Sequence, residues 1–387
     1  MTLEQKQLLS LIYMAMHPDS EISESLLTRS IDWNLVLDEA KKQSLLGIAF
    51  VGFKVWSSSD YVKNSSTNID KRLLTQWVGV CEKIREDNLL LNKRTSQVCK
   101  NFAKDGFRTS VMKGQGNALL YGEQLSLMRS PGDIDVWVEG GFQKVYDYVK
   151  KIAPTSKVDQ MEIIFDVFSD AKVEVHYRPI ILRHPIRNKR LQKFLSSKAE
   201  ECYNNRVKLV TLNDLGEEVW KDAVITTSSF NLVHQLAHIH LHLFTEGVGL
   251  RQVIDYYYQL IHAEKVLSLA EKEDVVNIIQ FVKLDTLAKA LTWILSTCFG
   301  LPKECQLWDP DEKDGKFLLE EILQTGNFGH NDDRRPESLH AGGISFFLYV
   351  QKHNLRLSRF DRNDWFWGSL WRIYYFFWRN LKGFSRI

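Results

Sequence analysis

The sequence contains few cysteines, and none of them lies close enough to another to form a Cys-x-x-Cys pair. An odd number of scattered cysteines is typical of a protein in a reducing compartment and does not indicate a disulfide framework. We therefore expect a cytoplasmic protein without disulfide bonds. The five cysteines are Cys81, Cys99, Cys202, Cys298 and Cys305.

Long apolar runs and a secretion signal are also missing. No segment offers about 18 consecutive apolar residues, so a membrane-spanning helix is not expected. Residues 1–21 lack a basic stretch followed by a long apolar stretch. We therefore predict that they form a first helix and not a signal peptide.

Neither sign of charge is in excess. The 387 residues include 50 basic and 48 acidic side chains, which gives a net charge of +2. This balance argues against a protein built mainly to coat nucleic acid, and we expect no sequence-specific nucleic-acid partner. The hydrophobic content of 44% is sufficient for a large core, and the length indicates two or three domains.

The residue pattern changes twice along the chain. Residues 1–103 have apolar residues three and four positions apart, which predicts helices, and the last of these is a long helix that ends near Gly106. Residues 104–200 alternate short β-compatible segments with short helices, and residues 201–387 return to helical spacing. We therefore predict an α+β fold in which a small mixed-sheet core lies between mainly helical N- and C-terminal regions.

Three segments have turn residues or charge without periodicity, and we predict that they are loops. They are the polar segment 57–68, the basic segment 183–190 ("RHPIRNKR") and the segment 324–343. The basic segment also suits binding of phosphate or RNA, but no interleaved aromatic residues accompany it, so a solvated loop is favoured.

The clearest candidate for chemistry is the segment "DIDVWV", in which Asp133 and Asp135 flank Ile134. Side chains of a strand alternate between faces, so both carboxylates project to the same side. Like charges at this separation are costly unless a cation lies between them, and Mg²⁺ is commonly held by one or two carboxylates with water and phosphate oxygens. An isolated Asp-x-Asp is more often a turn or a solvated strand end.

Further motifs in order make the metal interpretation more specific. "MEIIFDVF" and "KVEVHYRP" predict a β-hairpin whose second strand carries Glu174, a third acid that could bind metal and accept a proton. Upstream, "VMKGQGNALLYG" predicts a strand, a glycine turn and the start of a helix, which suits an anion. Gly114 and Gly116 would let phosphate approach the backbone, while Lys113 and Arg129 would supply charge.

At these residues the sequence resembles the bacterial uncharacterised nucleotidyltransferase family of the DNA polymerase β-like nucleotidyltransferase superfamily. The matching motifs are Met112-Lys113-Gly114, the segment from Arg129 through Asp135, and Glu174-Val175-His176. The helical segments "DWNLVLDEAKKQSLLGIAF" and "NLVHQLAHIHLHLF", on either side of the core, are similar as well.

The resemblance implies transfer of a nucleoside monophosphate from an NTP to an acceptor hydroxyl, with pyrophosphate leaving, by a two-metal mechanism with Mg²⁺ or Mn²⁺. Asp133 and Asp135 would hold both ions, and Glu174 would hold the catalytic ion and help to deprotonate the acceptor. The Gly114 turn would hold the β and γ phosphates. The acceptor, which is a small molecule, sugar, lipid or protein, is left open.

Two departures from the superfamily pattern concern the phosphate-binding turn. The usual glycine-serine pair is absent because Gln115 follows Gly114, so the serine contact is missing or is replaced by Asn117. The distance in sequence from the turn to Asp133 is also longer than in the minimal members. These departures keep a second hypothesis open, in which the protein is an inactive nucleotidyltransferase that binds nucleotide or acts as a scaffold.

Several other residues have two interpretations. His234, His238 and His242 recur every four positions, which suits zinc but is more typical of a packed or groove-lining helix, with His238 a candidate for the acceptor cleft. His176 and Arg178 are predicted on the face of Glu174, where they would orient the carboxylate, meet the nucleotide, or form an ion pair within the sheet.

The aromatic run from Trp365 to Trp378 is too short to span a membrane. We predict a terminal helix that packs on the core. The alternative is a weak contact with a membrane surface through an interfacial helix.

Overall fold

The computed structural model describes residues 1–27, 31–59, 62, 69–329, 332, 334 and 344–382. Most of the predicted loops 57–68 and 324–343 lies outside these residues. The N-terminal region is helical, as predicted. Its helices are α1 (Leu3–Met16), α2 (Trp33–Lys42), α3 (Leu46–Ser58) and α4 (Lys71–Lys104).

The long helix α4 is the support on which the rest of the fold is built. Its first turn is capped by Asp70, whose carboxylate accepts hydrogen bonds from two backbone N–H groups. It runs for 34 residues and ends before Gly106, which has a φ of 81°. That left-handed conformation suits glycine, so the predicted end of the helix is confirmed.

A four-stranded mixed sheet follows α4 and confirms the predicted fold class. The strands are β1 (Thr109–Met112), β2 (Ile134–Val138), β3 (Glu162–Ile164) and β4 (Val173–His176). They lie in the order β1-β2-β4-β3, with β2 parallel to β4 and both edge strands antiparallel to their neighbours. The predicted hairpin corresponds to β3 and β4 and is also confirmed.

Short helices connect the strands. Between β1 and β2 lie α5 (Gly114–Ala118), a 3₁₀ turn and α6 (Gly122–Ser126), and between β2 and β3 lies α7 (Gly141–Ile152). Val136 and Val175 are fully buried in one apolar cluster with residues of α4 and α7, such as Phe102 and Val145. The alternate residues of the same strands therefore face the opposite side of the sheet.

Two predictions for the chain after the sheet are wrong. The basic segment 183–190 is not a loop, because Pro185 occupies the first position of helix α8 (Pro185–Ser197), where proline needs no hydrogen-bond donor. The region from residue 201 onward was predicted as helical, but a β-hairpin formed by β5 (Arg206–Leu212) and β6 (Glu218–Val224) lies near its start. The hairpin packs on α4, and Ser96 Oγ donates a hydrogen bond to the Asp222 carbonyl.

The remaining chain is helical and covers the second face of the sheet. Buried residues of α10 (Ser228–Leu243) and α11 (Leu250–Val266) belong to the main apolar core, in which Phe230 stacks on Trp137 of β2. Among the helices of the described residues, none combines the length and apolar character that crossing a bilayer requires. The helices are α9 (Ala199–Asn204), α10 (Ser228–Leu243), α11 (Leu250–Val266), α12 (Leu269–Phe281), α13 (Asp285–Phe299), α14 (Glu312–Thr325), α15 (Ile344–Arg356) and α16 (Asp364–Lys382).

Candidate active site

The three predicted acids come together on the polar face of the sheet. Asp135 of β2 and Glu174 of β4 are direct partners in the parallel register, so their carboxylates lie on the same face. Asp133 immediately precedes β2 and is joined to Glu174 through a shared lysine, Lys172. Lys172 Nζ lies 2.9 Å from Asp133 Oδ2 and 2.5 Å from Glu174 Oε1.

His176 is the third side chain of a group that could hold a metal ion. One ligand atom from each of Asp135, Glu174 and His176 lies within 4.8 Å of the others. His176 Nε2 lies 3.0 Å from Asp135 Oδ1 and 3.2 Å from Glu162 Oε2. Burial would lower the pKa of His176, but the charges of Glu162 and Asp135 outweigh it and raise that pKa.

Lys113 supplies a second ammonium group to the acids. Its Nζ lies 2.8 Å from Asp135 Oδ1 and 3.3 Å from His238 Nε2. The turn that presents it is strained, since Lys113 has a φ of 48° and Gly114 a φ of 30°. A Cβ atom on Gly114 would lie 3.3 Å from the Asp133 carbonyl oxygen, so the turn and the aspartate segment are closely packed.

The two central carboxyl groups have opposite electrostatic environments. Burial would raise the pKa of Asp135, but the Lys113 charge and the His176 hydrogen bond outweigh it and hold that pKa below its usual range. Burial, together with the charges of Asp135 and Glu162, raises the pKa of Glu174 to about 7. Asp135 is thus a permanent anion, whereas Glu174 can exchange a proton near neutral pH.

Two site residues were absent from the sequence prediction, although the sequence held a signal for each. Lys172 precedes Glu174 by two positions and His176 by four, so strand alternation puts all three on one face. Glu162 lies on β3 and is the register partner of His176. The predicted hairpin would have paired these strands, but the register depends on contacts that a single sequence does not display.

The predicted phosphate-binding turn is only partly directed at the site. Lys113 and Gly114 line the cavity described below, whereas Gln115, Gly116 and Asn117 do not. Gln115 Nε2 donates to Asn92 Oδ1 at 2.6 Å, and Asn117 Oδ1 accepts from Gln259 Nε2 at 2.9 Å. The side chains of Gln115 and Asn117 therefore fix the turn to the surrounding helices.

Arg129 is buried and bound to an acid from another helix. Its Nε and Nη2 donate to the two carboxylate oxygens of Asp255 at 2.7 and 2.8 Å. Tyr121 adds a third hydrogen bond to the same carboxylate, from its hydroxyl to Oδ1 at 2.7 Å. The Arg129 guanidinium thus anchors the segment that leads to Asp133. Arg251, which lies on the same helix as Asp255, is beside this segment.

A cavity of about 900 Å³ opens in front of the acids. The polar face of the sheet forms one wall, and the loop 130–133 forms another. The cavity is also lined by His238 and His242 of α10 and by Trp371 and Tyr375 of α16. The volume suffices for a nucleotide and part of an acceptor.

The histidines of α10 differ in position, because one is packed outside the cavity and two others line it. His234 is buried outside the cavity, with its Nε2 3.2 Å from the Pro179 carbonyl oxygen, and Arg178 is exposed and also lies outside. His238 and His242 line the cavity, with their Nε2 atoms 2.9 Å apart. Within the described ranges, the group of Asp135, Glu174 and His176 is the one that meets metal-ligand spacing, so the α10 histidines do not form a zinc cluster there.

The terminal helix α16 has two different faces. One face lines the cavity, whereas Ile373 and Phe377 on the other are 57% and 58% exposed. The helix therefore covers the site but does not bury its outer aromatic face against the described core. Weak contact with a membrane surface stays an untested prediction.

The site thus combines acids on neighbouring strands of a small mixed sheet with a glycine turn and a large cavity. A family model described as "Uncharacterised nucleotidyltransferase" matches residues 29–300, which is more than half of the chain. The protein therefore belongs to the uncharacterised nucleotidyltransferase family, which confirms the family inferred from its motifs, while a bacterial origin stays an expectation.

Other comparisons add little. A solved structure described as an antigenic nucleotidyltransferase-like protein from Paracoccidioides brasiliensis is 12% identical, covering 58% of this chain and 95% of its own, with a TM-score of 0.26. No curated protein matches the chain.

Proposed function

We propose that the protein is a metal-dependent nucleotidyltransferase that transfers a nucleoside monophosphate from an NTP to an acceptor hydroxyl. The observation that carries this proposal is the register pairing of Asp135 with Glu174 on the wall of the cavity, with Asp133 joined to them through Lys172. Family membership supports the same class of reaction.

The residues present fit a divalent cation. Asp135, Glu174 and His176 offer two carboxylates and an imidazole within 4.8 Å of one another, and Asp133 lies beside them. Oxygen ligands of this kind suit Mg²⁺ or Mn²⁺, and an imidazole ligand is better tolerated by Mn²⁺. When bound, such an ion would neutralise phosphate charge and polarise the phosphoryl group under attack.

The protein groups would then handle the proton and the leaving group. The acceptor oxygen forms a bond to the α-phosphorus, the bond from that phosphorus to the bridging oxygen breaks, and pyrophosphate leaves. Glu174 accepts the proton of the acceptor hydroxyl. His176 holds Asp135 in place, and Lys113 brings positive charge to the phosphates.

One observation favours the alternative of an inactive nucleotide-binding or scaffold protein. Each of the three acids is bound by a lysine, because Lys113 contacts Asp135 and Lys172 contacts both Asp133 and Glu174. Ammonium groups in these positions could take the place of metal ions. Lys113 is 16% exposed and stays beside Asp135, but Lys172 is 46% exposed and can withdraw into solvent, which leaves both Asp133 and Glu174 available to a metal ion. We therefore favour the enzyme.

The proposed activity is tested with the purified full-length protein and each of the four α-³²P-labelled NTPs, with Mg²⁺ or Mn²⁺. Acceptors are supplied as a cell extract divided into small-molecule, lipid and protein fractions. We expect label in one fraction with the wild type and none with the D133N/D135N double variant. Equal labelling by both proteins would contradict the proposal, and nucleotide binding without transfer would support the inactive alternative.

Replacing Lys172 by methionine should strengthen metal binding in the absence of nucleotide. The substitution removes the ammonium that competes for Asp133 and Glu174 but keeps an apolar stem of similar length. Because each partly exposed ion pair contributes at most about 1 kcal/mol, we expect a gain of about three- to tenfold in Mn²⁺ affinity. Titration followed by electron paramagnetic resonance measures the free Mn²⁺.

The matched control for this prediction is K157M, since Lys157 is exposed and lies outside the cavity. It should leave Mn²⁺ affinity unchanged. A K172M protein that binds Mn²⁺ no better than K157M would show that the Lys172 ammonium does not compete with a metal ion.

A further inference from the structure

Arg251 carries a buried positive charge that no carboxylate among the described residues pairs with at salt-bridge distance. It is the second residue of α11, is only 8% exposed and lines the cavity. Its Nη1 donates to the carbonyl oxygens of Ser130 at 3.0 Å and Pro131 at 3.4 Å, while its Nε is enclosed without an acceptor. A buried charge without a counter-ion at salt-bridge distance is costly, so a bound anion would stabilise this part of the cavity.

The acid that could have neutralised Arg251 is already engaged. Both oxygens of Asp255 accept from Arg129, and one also accepts from Tyr121. Two guanidinium groups therefore share one carboxylate, which leaves one positive charge in excess. Burial, together with the charge of Arg129, lowers the pKa of Arg251 to about 10, as expected for a cation without its own counter-ion.

The excess charge lies next to the acids of the site. The carbonyl groups that hold Arg251 belong to the loop 130–133, whose last residue is Asp133. A Cβ atom on Gly132 would lie 4.0 Å from Arg251 Nη1, so the loop passes at van der Waals distance from the guanidinium. The first turn of α11 adds the positive end of a 17-residue helix dipole on the same side.

We propose that Arg251, and not Arg129, is the guanidinium that binds the polyphosphate of the nucleotide. The proposal rests on the proposed function and adds a nucleotide-binding residue to it. Arg129 keeps a positioning role through Asp255. A guanidinium suits this task since its planar donors match phosphate oxygens in pairs.

The test uses inorganic tripolyphosphate with Mg²⁺ as the probe, because it does not depend on the unknown base preference. Isothermal titration of the full-length protein should show binding to the wild type that R251Q weakens by about 10- to 100-fold. R251K keeps the charge but loses the paired donors, so it should fall between the two. Because R251K keeps the positive charge, it still tests the proposal if R251Q does not fold.

The control variant is R206Q, because Arg206 is exposed on β5 outside the cavity. It should bind tripolyphosphate as the wild type does, and thermal melts should show which variants are folded. The proposal is overturned if the wild type does not bind the probe, or if folded R251K and R251Q bind it as tightly as R206Q does.

The two proposals can fail separately. Tripolyphosphate binding that depends on Arg251, with equal nucleotide transfer by wild type and D133N/D135N, would remove the proposed function alone. Transfer that depends on the aspartates, with unchanged tripolyphosphate binding by R251K and R251Q, would remove the role of Arg251 alone.

Discussion

Replacing Asp135 by asparagine should abolish Mn²⁺ binding and nucleotide transfer together. Asp135 is the acid at the centre of the cluster, since it pairs with Glu174 in the sheet and contacts both Lys113 and His176. Loss of a group that merely supports a metal ligand typically costs 10- to 100-fold in affinity. Removal of this ligand charge should therefore lower Mn²⁺ affinity by more than about 100-fold.

The control for this prediction is D166N, since Asp166 is exposed and outside the cavity. It should bind Mn²⁺ as tightly as the wild type. Loss of a supporting group usually lowers metal affinity 10- to 100-fold. If the Mn²⁺ affinity of D135N were within about threefold of that of D166N, Asp135 would be excluded as a metal ligand.

Loss of metal binding must be separated from loss of folding, because D135N also leaves the largely buried Lys113 ammonium without its carboxylate. An unpaired buried charge is strongly destabilising. The double variant K113M/D135N removes both charges, so it should melt at a higher temperature than D135N while still failing to bind Mn²⁺. Recovery of Mn²⁺ binding in the double variant would mean that the single substitution had acted through the fold.

The common face of the acids could be predicted because it depends on the alternation of side chains along each strand. Alternation puts Asp133 and Asp135 on one face, and the same rule applied to the strand of Glu174 also identifies Lys172 and His176. What the rule does not provide is the neighbour and register of each strand. Those depend on the packing of the apolar faces against α4 and α7.

The residues that surround the acids could not be predicted in the same way. Arg129 was expected at the phosphates because it precedes the aspartates, but its partner Asp255 lies 126 positions away on α11. A contact over that distance in sequence leaves no local pattern. The packing of the whole chain therefore decides that Arg129 pairs with Asp255 and that Arg251 is the arginine proposed for the phosphates. By contrast, the β5–β6 hairpin had a local signal, the alternation of Val207, Leu209 and Thr211.

Replacing Asp255 by alanine should have the largest effect on stability. The substitution removes three hydrogen bonds and leaves the buried guanidinium groups of Arg129 and Arg251 facing each other without a counter-ion. Breaking a buried ion pair from one side typically costs about 3–5 kcal/mol in the free energy of unfolding. For a chain of this size we expect a drop in melting temperature of about 4–6 °C.

Two comparisons show whether the unpaired charge is the cause. In the double variant R129M/D255A an apolar side chain replaces the arginine, so part of the lost stability should return. The exposed pair of Lys83 and Asp87, 2.8 Å apart on α4, provides the surface control, and D87A should be nearly neutral. If D255A melted at the temperature of D87A, the Arg129–Asp255 pair would not be an anchor of the fold.

The pH dependence of stability gives an independent signature of the same pair. Burial would raise the pKa of Asp255, but the charge and hydrogen bonds of Arg129 outweigh it and lower that pKa below the unfolded value. A carboxyl group of this kind contributes its full stability above the unfolded pKa of about 3.9 and loses it as the pH falls through the folded pKa. The difference in unfolding free energy between wild type and D255A should therefore be constant from pH 7 to about 5 and shrink at more acidic pH. Chemical denaturation of both proteins across this range measures the difference, and one that grew on acidification would contradict the assigned direction of the shift.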